Sequence, residues 1–376
     1  MTEYRFGHPG DEEDILDFIN LVFSQAARPH HFDRLLPKVY AHSGYAPLHA
    51  LAVTEGRIRG CVAVLPLTVR LHGETLQGGY VGSVSVHERA RGEGHMKALM
   101  RMQIEAAQAR GDDFLILGGR RQRYGYYGFE KIGGMAEFSI NADNVRHALA
   151  EADGEWVAFR QVEGPQDRAL RLISALHAAQ PYRCDRPAQR LYDTLTSWEA
   201  EPFVISHRET GEFRGYLIAA DSRITELVLV EEGDLPAVIK AWMRGRKGCA
   251  VLAPLWQRAR VNGLKAFAEN GRVGDEEMIK VLCWPRVLSA ALRMQQAVLP
   301  LPEGTVIVEI AGQRLALTVD SSRITVAETD QKPDRVLTEK QAAALFFSPL
   351  SALMEGNALL RAWLPLPLGM PPADQF

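Results

Sequence analysis

Between Tyr80 and Met100 the chain reads YVGSVSVHERARGEGHMKALM, and these residue types suit the holding of a phosphate. Gly82, Ser83 and Ser85 keep one face of a strand small, so a ligand can approach the backbone closely. After Val84, Ser85 and Val86 come Arg91, Gly92, Glu93 and Gly94, which put flexible backbone at the start of a helix through His95, Met96 and Lys97. Free N–H groups and the positive dipole end then point at one spot, as a pyrophosphate requires. The helix is amphipathic, with Met96, Leu99, Met100, Ile104 and Ala107 on one face. A purely structural glycine-rich turn fits the same pattern. Two familiar phosphate motifs do not: no GxxxxGK(S/T) occurs, and the full GxGxxG spacing of a dinucleotide fingerprint is missing.

Several other polar residues invite a chemical role. Arg89, Arg91, Lys97, Arg120 and Arg121 could answer phosphates, although such charges are often only solvated. His30 and His31 form a loop pair without a carboxylate or Cys at ligand spacing nearby, so no metal site is expected. Four cysteines, Cys61, Cys184, Cys249 and Cys283, are scattered with no CxxC pair and read as free thiols in a reducing compartment.

The elements that must position the cradle follow from pattern. Glu3–Phe6 is a short strand, and Glu12, Glu13 and Asp14 open a helix to about Ala26 with Ile15, Phe18, Ile19 and Phe23 on one face. A second helix is expected over Phe32–Ala41. Strands are expected at Leu48–Thr54, Arg57–Leu65 and Thr68–Leu71, with Pro66 interrupting, and Thr75–Val86 completes a meander feeding the cradle. Phe114–Leu117 is a buried strand, after which Gly118 and Gly119 let the chain splay from its neighbour. Beyond Ala150 strands and helices recur in a similar order without a second cradle. From Pro285 a small α+β pattern begins, closing on an apolar, proline-rich tail, Trp363 to Phe376.

Length and charge bound the rest. With 376 residues, two or three domains are expected. A formal charge of −3 argues against nucleic-acid and membrane-surface partners. The N-terminus has early acidic residues and no apolar h-region, so no signal peptide is expected, and no apolar stretch is long enough to span a bilayer. A cytoplasmic location is the expectation.

Val84 and Val86, followed by the R-x-x-G-x-G/A element at Arg91-Gly92-Glu93-Gly94, closely resemble the signature of the GNAT acetyltransferases. Met96 stands where the last small residue is usual, and Arg89, Gly92 and Gly94 satisfy the pattern in a second register nearer the strand. Tyr124, four before Gly128-Phe129, matches the family's Y-x-x-x-G-(F/Y) element, with Tyr126 and Tyr127 as near decoys of packing type. The order of domains and the C-terminal Phe376 make the whole chain similar to the Eis-type (enhanced intracellular survival) GNAT family.

The resemblance implies an α/β (α+β) chain: a catalytic GNAT domain over 1–150, a degenerate GNAT-like domain over 151–284, and a sterol-carrier-like α+β domain over 285–376. Acetyl-CoA is the implied co-substrate, held by Val84, Ser85, Val86, Arg91, Gly92, Glu93, Gly94, His95, Met96, Lys97, Gly119 and Arg120. The implied catalytic residues are Tyr124, as acid toward the leaving thiolate, and Phe376, whose α-carboxylate serves as base. An amine of a small molecule, polyamine-like or aminoglycoside-like, is the implied acceptor, and a homohexamer the implied assembly. Direct transfer, without an acetyl-enzyme, is expected. Two other classes stay open: an apolar-ligand or lipid binder using the C-terminal domain, and an aminoacyl-tRNA-dependent transferase, which the net charge disfavours.

Overall fold

The structure, a computed structural model, describes residues 1–26, 28–274, 277–321 and 323–376. Strands β1 (Thr2–Phe6), β2 (His49–Thr54), β3 (Arg57–Leu71) and β4 (Glu74–Val86) form an antiparallel meander. Helix α1 (Glu12–Ala26) leaves β1 with Glu12, Glu13 and Asp14 in its first turn, where the dipole favours acidic side chains. The helix expected over Phe32–Ala41 is two short ones, α2 (Phe32–Leu35) and α3 (Pro37–Tyr40). Pro37 has no N–H to continue the ladder and drives Leu36 out of helical geometry, to φ −130°.

Pro66 does not break β3, contrary to the expectation of two strands. It falls between the stretch that pairs with β2, ending at Ala63, and the stretch from Val69 that pairs with Tyr182–Cys184. A proline is tolerated where that side of the strand has no neighbour to bond. From β4 the chain turns into α4 (His95–Arg110) and returns as β5 (Phe114–Gly118), parallel to β4. Gly60 on β3 lets the helix close down: an added Cβ would lie 3.1 Å from Leu99 Cδ1 and 3.3 Å from His95 Cβ.

After α5 (Arg121–Tyr124) and β6 (Glu130–Ile132), the two halves exchange strands. β7 (Met135–Asn141) lies in the second sheet, between 270–274 and Gly248–Pro254. In return the strand Glu277–Val281 inserts between β5 and β6 of the first sheet. Sheet membership therefore cuts across the expected divisions near 150 and 284: a strand before the first joins the second sheet, and one before the second joins the first.

The second sheet repeats the parallel pairing, at Arg223–Ala250 and Ile224–Val251. At the turn corresponding to the cradle it carries Glu231, Glu232 and Asp234 ahead of the helix Leu235–Trp242. Asp234 and Glu232 are paired there with Arg214 and Arg260, and no glycine cradle stands at this turn among the described residues. A third sheet, of four strands between Gly304 and Leu337, packs with the helix Trp284–Val298 and with the C-terminal segment. Leu364, Leu366, Leu368 and Met370 of that segment are buried in the same core.

Candidate active site

β4 and β5 pair only at Gly78–Phe114, Gly79–Leu115 and Tyr80–Ile116. Beyond those residues β4 runs to Val86 and β5 to Gly118, so the strands part. Within the opening β4 is bulged. Cys61 faces Ser85 and Ala63 faces Gly82, which leaves Ser83 and Val84 together opposite Val62. Ser83 takes φ +49°, a conformation uncommon outside glycine.

Past Val86, Gly92 and Gly94 adopt φ of +90° and +84°. Gly94 is the N-cap of α4 and supplies no side-chain cap, so the first-turn N–H groups have no partner within the helix. Among the described residues a Cβ at Gly92 or Gly94 would meet nothing within 4 Å, which leaves space before these donors for a ligand. The start of α4 at His95 favours the register opening at Arg91 over that opening at Arg89. Val84, Ser85, Val86, Arg91, Gly92, Gly94, His95, Met96 and Lys97 line one cleft of about 650 Å³. Arg123 and Tyr127 line it too, joined by Val22 and Phe23 of α1. A long ligand with a pyrophosphate group fits this donor set.

Tyr124 is buried behind that cleft, its ring against the backbone of Gly119, where an added Cβ would lie 2.5 Å from Cε2. Burial raises the Tyr124 hydroxyl above its ordinary range, and the Arg123 side chain pulls the other way. The C-terminal residue arrives from the opposite side of the chain. The Phe376 ring sits on Gly82 so closely that a Cβ there would lie 2.4 Å from Cδ1, and it packs 6.1 Å from the Tyr40 ring. The last side chain thus rests beside the bulge, on the strand that feeds the cradle.

Residues 3–132 match the family model described as an acetyltransferase (GNAT) domain. They form a GNAT acetyltransferase domain. Over the whole chain the fold is shared with solved structures of low identity. A conserved protein of unknown function from Enterococcus faecalis V583, a probable N-acyltransferase, is 16% identical with a TM-score of 0.71, over 99% of this chain and 98% of that one. A GCN5-related N-acetyltransferase from Anabaena variabilis is 15% identical with a TM-score of 0.70, and Eis1 from Mycobacterium abscessus 16% identical with 0.67, each over 100% of both chains. No curated protein matches the sequence significantly.

Within the GNAT domain some expected residues take other roles. The His95 ring is buried, bonded through Nδ1 to Tyr4 Oη at 2.9 Å and through Nε2 to Glu93 Oε2 at 3.1 Å; His95 still lines the cleft, and Glu93 does not. Arg120 stands at the N-cap position of α5 without a side-chain cap bond, and Arg121 is paired with Glu130 at 2.7 Å. Lys97 Nζ lies over the exposed Tyr126 ring, 5.4 Å from its centroid. Arg123 was not singled out by sequence reasoning and Tyr127 was read as a packing decoy, because neither occupies a motif position and only the fold brings them to the cleft.

A buried polar chain runs behind the Phe376 ring. Tyr45 C=O can only accept, so His49 Nδ1–H donates to it at 2.8 Å. His49 Nε2 is then an acceptor for Tyr40 O–H at 3.0 Å, and Ser83 O–H donates to Tyr40 at 2.6 Å. Burial pushes the His49 imidazolium down to about 4. An unfolded histidine titrates near 6.5, so the unfolded chain binds more protons between those values. Stability is full above about 6.5 and falls as pH drops toward 4, by about 3 kcal/mol for this group. Urea unfolding at pH 7 and at pH 4.5 checks this: His49→Gln should lose less stability on acidification than the native protein. Equal losses would mean that His49 is not held neutral.

Proposed function

We propose that the chain transfers the acetyl group of acetyl-CoA directly to an amine of a small molecule, polyamine-like or aminoglycoside-like. The observation that carries this is the meeting, on one strand, of an open uncapped glycine cradle and the seat of Phe376. Acetyl-CoA would supply the acetyl group as a thioester, its pyrophosphate held by the main chain at Gly92–Lys97 with Arg91 and Arg123 nearby. The bulge at Ser83–Val84 frees main-chain groups from the ladder, and an N–H there would polarise the thioester carbonyl. The amine must be neutral to attack. The carboxylate of Phe376 takes its proton, directly or through a water, and Tyr124 holds the proton destined for the sulfur. Burial raises the Tyr124 hydroxyl, and exclusion of water raises the thiol in the same direction, so the transfer stays within reach.

Residues 1–150, 151–284 and 285–376 then act as catalytic, supporting and sterol-carrier-like parts, with the strand exchange tying the first two. The resemblance alone supports a homohexamer and a cytoplasmic location. Among the described residues no helix is long and apolar enough to cross a membrane. The rival apolar-ligand reading has less behind it, since the tail, with Met370 fully buried, fills the C-terminal core.

The test is a panel of amines incubated with acetyl-CoA, following thiol release. Its control is Gly94→Asp, which forces a side chain into φ +84° and sets a carboxylate where the pyrophosphate would lie. Calorimetry should find CoA binding abolished in that variant. Unchanged affinity would remove the cradle from the site.

A further inference from the structure

The second half has no phosphate cradle, yet it reaches the active site through one buried ion cluster. Glu226, on the strand Arg223–Leu229 of the second sheet, accepts from Arg186 Nη1 at 2.9 Å and Nη2 at 2.6 Å. The Glu226 carboxylate also accepts from Tyr216 O–H at 2.6 Å, which fixes its orientation. The same guanidinium donates to Asp374, from Nε and Nη2, both at 2.8 Å. Asp374 lies two residues before Phe376. The Arg186 and Asp374 side chains are only 2% and 4% exposed, so this is a desolvated, doubly bidentate contact and not a surface pair.

A second grip comes from the acceptor side of the first domain. Lys38 on α3 is buried and donates to Ala373 C=O at 2.7 Å and to Gln375 C=O. Side-chain and main-chain groups of 373, 374 and 375 are thus all held, immediately before a ring seated on Gly82. Glu226 already neutralises Arg186, so the pairing with Asp374 goes beyond charge balance within the second half. The extra carboxylate and the carbonyl pair make sense as a fixture for the terminal residue.

We propose that Arg186, steadied by Glu226, and Lys38 are positioning residues that set the Phe376 carboxylate in the active site, which gives the cradle-less half its role. This rests on the terminal-base reading above. Neither side chain touches the reacting atoms; both act through the tail. Their removal should therefore lower turnover while leaving the cofactor cleft, which neither side chain lines, unaffected.

The experiment is a two-by-two comparison using Asp374→Asn and a one-residue Gly extension after Phe376, in the full-length protein. Turnover is measured with spermidine or the fastest acceptor of the amine panel, and acetyl-CoA affinity by calorimetry. Asp374→Asn alone should cut kcat by at least about 10-fold with CoA affinity unchanged, since roughly 1 Å of misplacement can lose 10²-fold. In the extended background, where the carboxylate is already displaced, the same substitution should have almost no further effect. Independent multiplication of the two losses would mean that the cluster only stabilises the fold, and would overturn the proposal. An unaffected Asp374→Asn enzyme beside a damaged extended one would overturn it too. An extension without effect would instead sink the terminal-base reading itself. Should Asp374→Asn not fold, Lys38→Met keeps the Arg186 pairings with Glu226 and Asp374 and carries the same comparison.

Discussion

Tyr124→Phe is expected to lower turnover by roughly 10²–10⁴, the range for losing a general acid, with acetyl-CoA binding retained. The substitution removes a hydroxyl and keeps a ring that the Gly119 backbone already confines. Burial raises the Tyr124 hydroxyl, so it stays protonated at neutral pH and has a proton to give. Transfer to a thiolate is uphill from such a group. Arg123 reduces the gap by pulling the hydroxyl down, and water exclusion raises the thiol in the same direction as the phenol. Tyr127 is the natural control, because it lines the cleft. Steady-state rates and calorimetry on both variants decide the matter. A large loss in Tyr127→Phe beside a near-normal Tyr124→Phe would hand the acid role to Tyr127.

Extending the chain by one Gly after Phe376 is expected to lower turnover by about 10²-fold or more. The extended protein still ends in a carboxylate, but displaced by one residue, about 3.3–3.6 Å. The Phe376 ring cannot follow to compensate. It is pinned on Gly82 and against Tyr40, while 373–375 are held by Lys38 and Arg186. Deleting Phe376 should be about as damaging, and both variants should bind acetyl-CoA normally. C-terminal purification tags should fail for the same reason. A normal rate in the extended protein across pH would leave Phe376 a packing residue only.

How far the sequence alone reached depends on the range of the contacts involved. The cradle was legible because Val84 to Lys97 is one contiguous run, in which glycines, charge and helical period act on neighbours. The buried tail was legible from composition, since Leu366, Leu368 and Met370 are poor residues to leave in water. The bulge at Ser83 was not, because it depends on register against Cys61 and Ala63, which no local pattern records. His95 looked like a cradle side chain, but Tyr4, far away in sequence, claims its ring. Arg186, Glu226 and Asp374 lie far apart in sequence and form no motif, and only the fold buries them together. Pro66 misled in the other direction: a residue that breaks paired strands sits where pairing lapses on one side.

The exchanged strands also set a schedule for synthesis. β5 cannot gain its outer neighbour until residues 277–281 have been made, long after the cradle has left the ribosome. Until then the nascent first sheet carries an open, apolar edge at Phe114–Leu117, of the kind that templates aggregation. A fragment ending near residue 150 would keep that edge permanently and would also carry β7 without its sheet. For the same reason the chain cannot discard its cradle-less half by simple deletion, because each half completes the other's sheet.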